Sequence, residues 1–293
     1  MTSEFDLLTE NAAELDLELD RIPDVTRINT EVDGRVVSSL RWTAESPRVV
    51  FLHGGGQNAH TWDSVVLALG VPALAIDLPG HGHSDWRDDH NYLPEPNAVA
   101  VAPVIRRLAP DAELVVGMSL GGLTTIALTA HEPALVRRAL IVDVSPESSK
   151  RFEQLSGADQ GTVALISGPD TYDSREELIE ITAAAAPTRS KSSIRRGVIH
   201  NTREIEDGRV QWRYDKLRHT IEPPQLWDAL SASTIGFTLV RGGASAFVTD
   251  DDAAEIVRRR PGTAVISVPG AGHSVQSDAP LELAAIIRST LDS

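Results

Sequence analysis

Cysteine is absent from the 293-residue chain. That excludes disulfides, thiolate catalysis and Cys-ligated metals, and it fits a reducing compartment, so a cytoplasmic location is expected. Aromatic residues are scarce, at 4%, which leaves few ring positions from which to infer a ligand. No apolar run approaches the roughly 20 residues of a membrane span. Bases are outnumbered: 27 Lys and Arg against 42 Asp and Glu give a formal net charge of −15. So acidic a surface disfavours nonspecific binding to nucleic acid or an anionic membrane. From Met1 to Asp20 there is no base at all against seven acids, the reverse of a signal peptide. Leu7, Leu8, Ala12, Leu15 and Leu17 allow a short amphipathic helix there, and residues 1–24 read as an acidic, partly docked arm.

What is present is an alternation of apolar strands and helices. Val25 to Glu31 and Val36 to Trp42 read as a hairpin turning at Asp33-Gly34. Further strands are expected over Arg48–Leu52, Ala73–Leu78, Leu114–Met118, Ala139–Val144, Thr234–Val240 and Thr263–Val268. Helices are expected over Val99–Leu108, with Pro103 near its start, and over Ser174–Ala186, Asp250–Arg259 and Leu281–Leu291. This order predicts an α/β fold, a mostly parallel sheet with helices on both faces. From Glu147 to about Leu230 no strand alternation is seen. The expected organisation is therefore a core of residues 25–146 and 231–293 with a helical cap over 147–230. The cap would cover the sheet's carboxyl edge, where open α/β sheets bind ligands.

The chain is organised around Leu114-Val115-Val116-Gly117-Met118-Ser119-Leu120-Gly121-Gly122. A strand runs into a tight turn with one serine at its apex, and helix-compatible sequence follows. Side chains two residues either side of a serine so placed would clash, and Gly117 and Gly121 remove them. The turn holds the Ser119 hydroxyl above the sheet and aims the Leu120 N–H, at the helix start, toward a developing oxyanion.

Two more strand ends carry His53-Gly54-Gly55-Gly56 and Gly270-Ala271-Gly272-His273. Strand–His-Gly-Gly-Gly, strand–Gly-Met-Ser-Leu-Gly and strand–Gly-Ala-Gly-His, in that order, resemble the α/β-hydrolase superfamily over roughly residues 25–293. The resemblance implies that Ser119 is the nucleophile and His273 the base that takes its proton. Gly55, the residue after the family's His-Gly, would supply the second oxyanion N–H beside Leu120. No cofactor is implied, no Gly-Lys-Ser/Thr follows the glycines, and a small-molecule substrate is the expected partner; oligomeric state stays open.

The triad acid is the difficult position. The family usually places Asp after the strand that follows the cap, often directly after a serine. Here Ala246 follows Ser245, and alanine cannot orient an imidazole. A minority pattern, similar to that of haloalkane dehalogenases and some lactone hydrolases, puts the acid one strand earlier, where Asp143 stands. Asp143 is the leading candidate, and Asp250 and Asp251 are the alternatives; the acid would hold His273 in the correct tautomer.

His81-Gly82-His83-Ser84-Asp85 with His90 superficially resembles a metallohydrolase box, but Trp86 replaces its third histidine. The run from Asp77 to Ser84 also matches the family's Asp-x-Pro-Gly-His-Gly-x-Ser loop, so no metal is expected. Arg189 to Arg218 holds nine bases against four acids. It reads as a solvated cap surface paired to acids elsewhere, with attraction of anionic substrates as the sharper alternative. Trp212, Tyr214 and Trp227 line a pocket or pack the cap. The expected function is a serine hydrolase cleaving a small ester or lactone through an acyl-enzyme. C–C bond hydrolysis and cofactor-free non-hydrolytic chemistry are alternatives on the same fold. A binding protein with a vestigial triad is the alternative of another class, favoured by Ala246 and opposed by Asp143.

Overall fold

A computed structural model of the chain describes residues 3–293 apart from 153, 217 and 220. The hairpin forms as expected: β1 (Val25–Val32) and β2 (Arg35–Trp42) pair antiparallel, and positive φ at Asp33 and Gly34 (50° and 75°) matches the twist of the strands. β3 (Val49–Leu52), β4 (Ala73–Ile76), β5 (Leu114–Met118) and β6 (Arg138–Val142) follow. Three short strands come next: β7 (Thr171–Tyr172), β8 (Thr202–Glu204) and β9 (Val210–Trp212). β10 (Gly236–Gly242) and β11 (Ala264–Val268) complete the set.

Among the described residues, eight strands form one sheet in the order β1-β2-β4-β3-β5-β6-β10-β11. Every pair from β4 to β11 is parallel, and β2 alone runs against the rest, pairing antiparallel with β4 on one side and β1 on the other. β3, β4, β5 and β6 are largely or wholly buried on both faces, which is why they read as unbroken apolar runs. After β3 the chain moves to β4 on one side and then returns to β5 on the other. That reversal opens a crevice at the carboxyl ends of β3 and β5.

One face of the sheet is covered by α1 (Leu8–Glu14), α2 (Asp63–Leu69) and the closing α12 (Pro280–Asp292). The other is covered by α3 (Pro94–Leu108), α4 (Leu120–His131), α9 (Pro223–Ala232) and α10 (Asp250–Arg259). α3 begins before the expected Val99. Pro94 at its first turn needs no N–H partner and presets φ, so the helix starts there and Pro103 falls in its interior. Between β6 and β10 the chain inserts α5 (Ser148–Phe152), α6 (Gly157–Gln160), α7 (Arg175–Ala185) and α8 (Lys191–His200), along with α9. The sequence led to the expectation of a helical insertion, and the insertion is not purely helical. β7, β9 and β8 form a small antiparallel sheet within it, and strands of two or three residues are too short to show a period of two. The insertion has its own apolar centre, with Leu178, Ile194, Val198, Trp212 and Tyr214 all buried. No helix among the described residues is long and apolar enough to cross a membrane.

The arm is a docked helix. Leu8 is buried against the face that α2 covers. Its acids face bases of the body and the insertion: Glu4 meets Arg27 at 2.7 Å, Glu10 meets Arg195 at 2.8 Å, and Glu14 pairs with Arg196.

Candidate active site

Ser119 stands alone between β5 and α4 with φ 49° and ψ −118°, a conformation that costs about 1–3 kcal/mol in a non-glycine residue. The flanking glycines make it possible. A Cβ on Gly117 would lie 2.3 Å from the Gly121 carbonyl oxygen, and one on Gly121 would lie 2.1 Å from that of Leu52 on β3. β5 and α4 therefore close on each other and on β3, which pushes the Ser119 side chain out at the crevice.

The loop after β3 is fixed from below. His53 is fully buried; its Nδ1 bonds the Gly54 carbonyl at 2.8 Å and its Nε2 accepts the Leu78 N–H at 2.9 Å. Burial and the nearby His81 lower its pKa to about 3, so it is a neutral brace rather than a base. A Cβ on Gly54 would meet Met118 Sδ at 2.5 Å and Ser119 Cβ at 3.3 Å. This close approach sets Gly55 beside the serine. The N–H groups of Gly55 and Leu120 have no protein acceptor among the described residues.

His273, on the loop after β11, places Nε2 at 3.1 Å from Ser119 Oγ and Nδ1 at 2.9 Å from Asp143 Oδ2. With the carboxylate accepting at Nδ1, the lone pair on Nε2 faces the serine. Asp143 is fully buried directly after β6, with φ 49°. Its Oδ1 accepts the Gly242 N–H at 2.9 Å, and Ser245 Oγ donates to its Oδ2. Phe247 stacks on the imidazole at 3.6 Å between ring centroids. Thus Ser119, His273 and Asp143 are brought together. Asp250 is not with them: its side chain is 95% exposed and pairs with Arg241. Asp251 is exposed beside it on α10.

Ser245 and Phe247 were missed as site residues. They occupy the segment where the family's usual acid would lie. There the Ser245 hydroxyl supports the Asp143 carboxylate and the Phe247 ring supports the His273 imidazole. Ser245 directly before Ala246 was the available signal.

The residues of the apparent metal box part company. His81 Nδ1 bonds the Pro79 carbonyl, Asp85 accepts the Val36 N–H, and His90 bonds Asp215. Asp77 is the hub of that loop, accepting from the N–H groups of Ala59 and His83 and from Arg27. Another set, His60, Asp63 and His200, offers ligand atoms within 4.8 Å of one another. Its two imidazoles are stacked at 3.8 Å and 12°, so their in-plane lone pairs run parallel instead of converging on one ion. Arg27 lies 3.5 Å from His60 Nε2, a further obstacle to a cation.

Five of the nine bases of residues 189–218, Arg189, Arg195, Arg196, Arg209 and Lys216, stand in ion pairs. Besides the pairs to the arm, Arg189 meets Asp278 at 2.7 Å and Lys216 meets Asp170 at 2.6 Å.

Residues 49–286 match the model of the α/β-hydrolase family. The chain belongs to that family. This hydrolase is 50% identical over 291 residues to esterase Rv0045c of Mycobacterium tuberculosis, covering 99% of this chain and 96% of that protein. A crystal structure of Rv0045c superposes with a TM-score of 0.90 at 47% identity, over 100% of this chain and 99% of the other. The fold is shared more widely: E-2-(acetamidomethylene)succinate hydrolase aligns with a TM-score of 0.79 at 23% identity, covering 92% of this hydrolase and all of that chain.

Proposed function

We propose that this hydrolase cleaves small carboxylic esters or lactones through an acyl-enzyme on Ser119, with His273 as base and Asp143 as the triad acid. That the chain is a carboxylic ester hydrolase rests on its family and its full-length likeness to an esterase. The observation that carries the residue roles is the relay Asp143–His273–Ser119, with both hydrogen bonds near 3 Å (2.9 and 3.1 Å).

An alcohol is a weak nucleophile at neutral pH. As Ser119 Oγ forms a bond to the substrate carbonyl carbon, His273 Nε2 takes its proton. The carbonyl oxygen becomes an oxyanion held by the Gly55 and Leu120 N–H groups. Asp143, hydrogen-bonded at Nδ1, stabilises the imidazolium and stays ionised. The tetrahedral adduct then expels the alcohol, which takes the proton from His273. Water next attacks the acyl-enzyme with His273 again as base, and Ser119 leaves with the proton returned. In a lactone the alcohol stays tethered, and the product is a hydroxy acid.

Ser245 and Phe247 support this reading over a vestigial triad, because they rebuild support for the acid and base where Ala246 removes the usual acid. Residues 147–230 would act as a cap, with Ile166 lying on the oxyanion loop 3.7 Å from where a Gly55 Cβ would stand. The absence of cysteine supports a reducing, cytoplasmic setting. The test is turnover of short-chain aryl esters by wild type and Ser119→Ala. The reading requires turnover in the first and its loss in the second with an unchanged melting temperature; equal turnover in both would refute it.

A further inference from the structure

A cavity of about 160 Å³ lies between the oxyanion loop and the insertion. Gly55 and Gly56 form part of its wall, and Trp212, Thr182, Gln276 and the end of α8 form others. Cavities of about this volume accept a group of six heavy atoms, and apolar ones stay dry. This one is not apolar. Of the fifteen buried side-chain polar atoms without a hydrogen-bond partner among the described residues, seven belong to residues that line it. Gln276 Oε1, Trp212 Nε1 and Arg196 Nε are on residues at most 7% exposed, and Thr182 Oγ1 and His200 Nε2 join them. Buried polar atoms are ordinarily paired, at a cost of about 1–3 kcal/mol each when they are not. Their concentration at one place marks a site built to be completed by a polar group.

The charges define which group. Arg189 and Arg196 line the cavity but are paired to Asp278 and Glu14, so neither is free to anchor a carboxylate. The unpaired atoms mix donors (Trp212, Thr182, Arg196) with acceptors (Gln276 Oε1, Asp63 Oδ1). We infer that this cavity is a substrate subsite for a compact neutral group that both donates and accepts hydrogen bonds, of the amide kind, carried on the ester a few atoms from the reacting carbonyl. The subsite rests on the Ser119 reading, since it is the shared loop Gly55–Gly56 that sets it beside the reaction. Within this cavity neither base of the segment is left to select an anion.

The test compares two esters of matched shape, 4-nitrophenyl 3-acetamidopropanoate and 4-nitrophenyl 5-methylhexanoate. A parallel pair carries the same tails on the alcohol side of an acetate ester, which identifies the side of the substrate that enters. Wild type is expected to favour the amide-bearing ester of one pair by about tenfold in kcat/KM. Thr182→Val and Trp212→Phe should each lower that preference, read as the ratio of kcat/KM within the pair, about three- to tenfold, the worth of one hydrogen bond. A second readout does not need turnover: in Ser119→Ala, the Trp212 indole N–H resonance, assigned with Trp212→Phe, should shift on titration with N-ethylacetamide. Equal kcat/KM within both pairs and an unmoved indole signal would overturn the subsite and leave the cavity to water. Loss of all ester turnover with the indole shift retained would instead refute the Ser119 reading and keep the binding site.

Discussion

Two buried imidazoles in this molecule bond a carboxylate in the same way. His273 Nδ1 meets Asp143 at 2.9 Å, and His60 Nδ1 meets Asp63 at 2.9 Å. Their other nitrogens differ. That of His273 faces the Ser119 hydroxyl at 3.1 Å, and that of His60 faces a second carboxylate, Glu4, at 3.2 Å. An imidazole between an acid and an alcohol can pass a proton. An imidazole between two acids keeps one. Burial opposes the charge on His60, but Asp63 and Glu4 outweigh it and raise its pKa to about 9. A His–Asp pair is therefore not a catalytic device in itself; its third partner decides. Here one pair serves a proposed reaction, and the other ties the arm to the body.

The largest losses of activity are expected at the serine site. Ser119→Ala and His273→Ala should each lower kcat for aryl esters by about 10⁴-fold or more, with the melting temperature little changed. Asp143→Asn should cost about 10²- to 10⁴-fold in kcat, by leaving the imidazole in the wrong tautomer. Asp250→Asn should cost nothing measurable, because that side chain lies in solvent. Ser245→Ala sharpens the point more gently: one hydrogen bond to Asp143 is removed, and steady-state kinetics should show a loss of about tenfold or less.

The arm's pair should respond in stability instead. His60→Gln removes the counter-charge of buried Asp63, while Glu4 keeps Arg27, and should destabilise the fold by about 3 kcal/mol in a denaturant titration. kcat/KM for short-chain aryl esters, which need not fill the cavity that His60 and Asp63 help to line, should stay within about threefold, since the two pairs share no partner. Because the folded pKa of His60 is raised from 6.5, its contribution is complete below pH 6.5 and is lost as pH climbs toward 9. Arg27 and the stacked His200, itself lowered to about 2 by burial and by His60, face the same ring. Wild-type thermal stability should therefore decline between pH 6.5 and 9, and the decline should vanish in His60→Gln.

The sheet and the serine turn were legible in the sequence because their constraints are local. Gly117 and Gly121 are dictated by clashes within a few residues and one neighbouring strand, and buried parallel strands leave unbroken apolar runs. The proposed triad acid was not legible to the same degree. Asp143, Asp250 and Asp251 all follow or flank strands. Only packing shows that Gly242 and Ser245 hold the first, while the other two lie exposed on α10. Residues 147–230 were least legible, since β7 to β9 are too short for periodicity and the polar lining of the cavity comes from segments distant in sequence. The acidic arm read as partly solvated. Its docking depends on Arg27, Arg195 and Arg196, partners that no local pattern reveals.

The most direct measurement is the rate of covalent labelling by a fluorophosphonate, with the modified peptide located by mass spectrometry, in wild type, Asp143→Asn and His60→Gln. Labelling is expected at Ser119, equally fast in wild type and His60→Gln and at least a hundredfold slower in Asp143→Asn. A folded wild-type protein that resists the probe, or an Asp143→Asn variant labelled as fast as wild type, would contradict the proposed triad.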